Sequence, residues 1–180
     1  RDRLRSRGLG DVYKRQVDAN EYSGELCTGK KYLEGDLLNW VNSQIKDCTA
    51  AGDIPLLMMH YDLIEKYDMQ STIMGGNFLD GGEKLAESFA DLGVRYIFTG
   101  HSHANDISSL TTKAGNTVYE VCTGSLVLHG SPIRHAKLSG EDCSIRTVFP
   151  RSIEGIDDYQ AFCRSYYYDG GVRTLSLIHI

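Results

Sequence analysis

VRYIFTGHSHAND (Val94–Asp106) sets an apolar run against a glycine and two histidines one residue apart. A short run of apolar residues bounded by turn formers reads as a strand covered on both faces. Gly100 allows a tight backbone where that strand ends, and His101 and His103 follow it at once. An earlier stretch has the same form: IPLLMMH (Ile54–His60) is apolar and closes on His60. Between the two, GEKLAESFADLG (Gly82–Gly93) puts Leu85, Phe89 and Leu92 at helical spacing, with Gly93 as the exit. Strand, helix, strand predicts a β-α-β connection with its chemistry at the strand ends. The fold class expected is α/β.

Upstream, GDLLNWVNSQIKDCTAAG (Gly35–Gly52) places Leu37, Val41, Ile45 and Cys48 on one helical face, with Leu38 and Trp40 beside it. The stretch from Tyr61 to Gly82 is polar and glycine-bearing, long for a connection inside a domain, and such loops tend to be functional or mobile. Downstream, DISSLTT, NTVYEVCT, RHAKLS and CSIRTVF alternate with the turns KAGN and SGED, which predicts an antiparallel meander. Beyond Pro150 a helix is expected, with Ile156, Tyr159, Phe162 and Tyr166 on one face.

Imidazole nitrogens ligate zinc, manganese and iron, usually with the other ring nitrogen held by a second hydrogen bond. A His-x-His pair alone is a weak signal, but a third histidine at the end of a neighbouring strand strengthens it. His60, His101 and His103 are therefore the candidate metal ligands. A hydrolytic centre with two cations also needs a carboxylate to bridge them, and no acidic residue here has a spacing that marks it as one. Tyr61 and Ser102 are placed either to touch substrate or to serve as a packing tyrosine and a turn serine. Asn105 and Asp106 suit a turn. His129 and His135 lie in the meander, and Cys122 has no evident base beside it.

GHSH within VRYIFTGHSHAND resembles the last metal motif, Gly-His-x-His, of the calcineurin-like metallophosphoesterases. IPLLMMH is similar to the motif before it, and EVCTGSLVLHGSPIRHAKLSG resembles the stretch that follows in bacterial members. The likeness runs from about Gly35 to Phe149. It implies the C-terminal half of a β-sandwich flanked by helices, in α/β/β/α layers, truncated. It also implies a pair of divalent metal ions (Mn, Fe or Zn), with His60 and His101 on one and His103 on the other. The implied activity is hydrolysis of a small-molecule phosphate mono- or diester through attack by a metal-bridging hydroxide. The family's earlier motifs, Asp-x-His, Gly-Asp and Gly-Asn-His, have no counterpart here, so the chain itself is expected to be inactive.

Other metallohydrolases fit less well. The metallo-β-lactamase motif His-x-His-x-Asp-His fails, because Ala104, Asn105 and Asp106 follow His103. Amidohydrolase barrels carry their His-x-His on the first strand, whereas this pair comes late. The non-enzyme alternative is a metal-free phosphoesterase-like scaffold or binding module, and three retained histidines argue against it.

The two ends carry a separate signal. Asp11–Gln16, written as GAT GTG TAT AAG AGA CAG, has the reverse complement CTG TCT CTT ATA CAC ATC, which encodes Leu175–Ile180. That DNA resembles a transposon end used in sequencing libraries. Residues 1–16 and 175–180 are thus expected to be translated adapter, 17–150 the C-terminal part of the phosphoesterase domain, and 151–174 the start of a further helical segment. The first sixteen residues hold six Lys/Arg and two Asp/Glu, and the last six hold none, which leaves 13 basic and 22 acidic residues. The formal charge is then −9 rather than −5, with no basic patch for nucleic acid. No apolar run is long enough to span a bilayer. Five cysteines, at 27, 48, 122, 143 and 163, lack CxxC spacing and read as small buried hydrophobes. None of this fixes a compartment.

Overall fold

The computed structural model describes residues 19–23, 26–126, 128, 130–140 and 142–178, with side chains outside 21–30 and 169–178. Residues 1–18, His129 and His179 of the sequence reading lie outside it. The protein is mixed α/β. Eight strands are described: β1 (Asn20–Ser23), β2 (Leu26–Lys31), β3 (Leu56–Met58), β4 (Tyr96–Thr99), β5 (Ile107–Thr111), β6 (Thr117–Cys122), β7 (Ile133–Ser139) and β8 (Asp142–Val148). Four α-helices accompany them: α1 (Gly35–Ala50), α2 (Gln70–Ile73), α3 (Gly82–Asp91) and α4 (Tyr159–Ile178).

The central sheet has the order β3-β4-β6-β5. Strands β3, β4 and β6 are parallel, and β5 closes the far side antiparallel to β6. The crossover between β3 and β4 contains α3, as the strand-helix-strand pattern predicts. Its apolar stripe, Leu85, Ala86, Phe89 and Ala90, is buried in one cluster with Ile97 and Val118 of the sheet and Val41 and Ile45 of α1. Gly82 opens this helix against the backbone of Leu63: a Cβ there would lie 2.8 Å from the Leu63 carbonyl oxygen, so only glycine fits without moving the chain. The expected face of α1 is narrower than its spacing suggests. Val41 and Ile45 are buried, but Leu37 and Trp40 are exposed.

The single meander expected downstream is instead two hairpins. Strands β5 and β6 pair with each other, and β7 and β8 form a sheet of their own. The reason is that a strand has two edges: β6 gives one to β4 and the other to β5, leaving none for β7. In α4, Tyr159, Phe162 and Tyr166 stack on one another at 6.3 and 6.2 Å between ring centroids. Phe162 and Tyr166 are exposed and Cys163 is buried. The helix is continuous from Tyr159 to Ile178.

Strand β3 forms an outer edge of the central sheet, with Leu56 and Met58 exposed, Met58 to 79 %. An apolar edge offers unpaired backbone groups to another strand. The chain is therefore expected to self-associate as its concentration rises, seen as growing mass in light scattering. A cooperative melt with constant monomer mass would contradict this.

Candidate functional site

Because β3, β4 and β6 are parallel, their C-terminal ends share one edge of the sheet, and three loops leave from it. Each loop carries residues singled out in the sequence. Met58 lies opposite Phe98, and the ladder continues one step as Met59 N–H donates to the Phe98 carbonyl. The His60 carbonyl then accepts from both Gly100 N–H (3.2 Å) and His101 N–H (2.9 Å). On the other side, Thr123 N–H donates to the Thr99 carbonyl. The backbone thus sews His60-Tyr61, Gly100–His103 and Thr123–Ser125 into one rim.

His60 and His101 meet there. Nε2 of His60 and Nδ1 of His101 are 2.7 Å apart and share a hydrogen bond, with the rings edge to face. Burial holds the His101 imidazole below its ordinary pKa, with Coulombic repulsion from His60, Lys31 and His103 adding to it and Asp62 opposing. His101 thereby favours its neutral form, the form that ligates metals. His103 does not join the pair. Its backbone is left-handed at φ 55°, as is that of Asn105 at 51°, and histidine and asparagine are among the residues that tolerate this region. Among the described residues, no three His, Cys, Asp or Glu side chains are grouped to hold a metal ion.

His103 instead lines a hollow of about 300 Å³ with Asn105, Ser125, Phe149 and Tyr167. Gly124 shapes its wall. A Cβ on Gly124 would lie 2.7 Å from Pro132 Cγ and 3.4 Å from Asn105 Cβ. Gly124→Ala is therefore expected to destabilise the fold by about 1–3 kcal/mol through overpacking, measured by urea unfolding. A neutral result would mean that Pro132 yields freely.

Of the remaining candidates, Tyr61 is engaged within the protein. Its hydroxyl donates to Asn20 Oδ1 (2.8 Å), its ring lies 4.7 Å from that of His101, and the Lys31 ammonium sits over it at 5.2 Å. Ser102 Oγ contacts the Sγ of buried Cys122 at 3.3 Å. Asp106 accepts from the Ile107 N–H, a turn role. His135 is exposed on β7.

No family model matches this sequence, and no curated protein matches it. Among the described residues no helix is long and apolar enough to cross a membrane.

The sequence reading missed a buried ionic network behind the histidine pair. Lys66 Nζ lies 2.9 Å from Asp62 Oδ2 and 3.0 Å from Glu120 Oε1, and these side chains are 0–2 % exposed. Glu120 Oε2 accepts the N–H groups of Leu63 (2.6 Å) and Ile64 (2.9 Å), and Thr99 Oγ1 donates to its Oε1. Burial raises the Glu120 carboxyl above its ordinary value, with Lys66 and the two amides pulling it back. Burial pulls the Lys66 ammonium down, but Glu120 and Asp62 outweigh it and leave it raised. Asp62 Oδ1 is buried without a hydrogen-bond partner among the described residues.

Proposed function

We propose that this chain is the C-terminal part of the catalytic domain of a calcineurin-like dimetal phosphoesterase, built as a β-sandwich flanked by helices. The substrate is a small phosphate mono- or diester. One observation carries the reading: His60 and His101, delivered by adjacent parallel strands to one sheet edge, turn ring nitrogens toward each other at 2.7 Å. Two imidazoles brought together by two separate strands are a donor pair for one cation. A second cation would have His103 alone, so the chain by itself is expected to be catalytically inactive.

The cations would supply the positive charge that activates water and stabilises the phosphoryl oxygens. The part of the chain is to hold its donors neutral and in place. The buried setting of His101 favours the neutral ring, and the backbone bonds from Gly100 and His101 to the His60 carbonyl fix the separation of the two exits.

Metal analysis after dialysis against Mn²⁺ or Zn²⁺ tests the proposal. His101→Ala and His60→Ala are each expected to reduce bound metal at least tenfold relative to wild type. Equal metal content in wild type and variants would remove the proposal and favour the metal-free binding module.

A further inference from the structure

We propose that Glu120 is the positioning residue that clamps the two histidine-bearing strand exits to each other. It sits on β6, which carries neither histidine, yet every group its carboxylate binds belongs to the segments that do. Through Oε2 it holds the Leu63 and Ile64 N–H groups, three and four residues after His60. Through Oε1 it holds the hydroxyl of Thr99, two residues before His101. The same oxygen pairs with Lys66, whose ammonium also reaches Asp62, two residues after His60. One carboxylate therefore spans both exits, and it is fully buried.

The chemistry explains why a carboxylate stands here. A hydrophobic residue on β6 could fill the volume, and buried ion pairs are often no more stabilising than apolar packing. What apolar packing cannot do is accept two backbone N–H groups, a hydroxyl and an ammonium in fixed directions. A charged acceptor makes shorter and stronger bonds than a neutral one. Among the described residues, the loop after His60 meets a strand-like partner only at the Asp62–Phe78 bridge, and the bonds to Glu120 hold Leu63 and Ile64 just beyond it. The backbone bonds from Met59 to Phe98 and from Gly100 and His101 to the His60 carbonyl join the exits where the strands end. Glu120 joins them again farther along, at residues 63 and 64 on one side and Thr99 on the other.

The clamp rests on the reading of His60 and His101 as a working pair, and its test separates the two ideas. Two-bond ¹⁵N–¹H spectra of the imidazoles in the full chain report the tautomer of each ring. In wild type the shared hydrogen bond is expected to hold His101 in one dominant tautomer. In Glu120→Gln the tautomer ratio is expected to move at least threefold toward that of free histidine, while the α3 amide resonances stay in place. A purely structural role would lower the melting temperature and leave the tautomers alone. Unchanged tautomers in folded Glu120→Gln would overturn the clamp. Should that variant fail to fold, Thr99→Val removes the link to β4 alone, and unchanged tautomers there overturn it equally. A parallel titration with Zn²⁺ is expected to show affinity 10–100-fold weaker in Glu120→Gln. Shifted tautomers together with no Zn²⁺ binding by wild type would keep the clamp and sink the dimetal reading.

Discussion

Lys66→Met is expected to lower the stability of the fold by about 3–5 kcal/mol at neutral pH, because it leaves buried carboxylates without their counter-charge. Asp62 and Glu120 are both 0 % exposed, and Lys66 is the cation that reaches both of them. The sign of the pH dependence follows from the shifts. A carboxyl raised in the folded state, like Glu120, binds its proton more tightly folded than unfolded. Stability from that group therefore falls as pH climbs from the ordinary glutamate range through the folded value. Removing Lys66 removes the attraction that limits this rise, so the deficit of the variant should be largest at neutral pH and shrink on acidification toward that range. Lys66 itself is raised, so its contribution is complete below the ordinary lysine value and lost as pH climbs through the folded one. Urea titrations of wild type and variant across this range measure both effects. A deficit below about 1 kcal/mol, the level of an exposed pair, would mean that water reaches the network.

Phe89→Ala is expected to cost about as much for an unrelated reason, namely 3–5 kcal/mol from lost burial plus the cavity left behind. Phe89 is 0 % exposed, on the stripe of α3 that faces the sheet. Its cluster includes Val41 and Ile45 of α1 and Ile97 and Val118 of the sheet, so the ring lies where helix and sheet layers meet. No charge is involved, so this loss should not change with pH, which separates it from Lys66→Met. A loss under about 1.5 kcal/mol, or one that tracks pH, would show that the helix is not anchored through this ring.

The β-α-β unit was legible because its signals are local. Phe89 and Leu85 recur at helical spacing, and each apolar strand closes on a histidine. The meeting of His60 with His101 then follows from parallel pairing in register. The network was not legible. Glu120 lies in YEVC next to Tyr119, and a charged residue in a strand ordinarily faces water. Its burial depends on Lys66, 54 positions earlier, and on the amides of Leu63 and Ile64. Nothing near Glu120 in the sequence announces those partners. The split of the meander was hidden for the same reason: that β6 spends an edge on β4 is a fact about residue 96, not about residues near 120. The placement of His103 turns on backbone handedness at His103 and Asn105 within the seven-residue loop 100–106, which composition does not specify.

Parallel pairing also fixes when the histidines can meet during folding. Leu56 pairs with Tyr96, 40 positions along the chain, whereas Ser139 of β7 pairs with Asp142 of β8, 3 positions along. Closing a short loop takes well under a microsecond and a hairpin a few microseconds, while non-local pairing must bear its loop entropy before any contact rewards it. The β7–β8 pairing is therefore expected to form early. The histidine pair is expected only once β4 has returned alongside β3. In refolding, a signal specific to the His60–His101 contact should rise with the slowest phase.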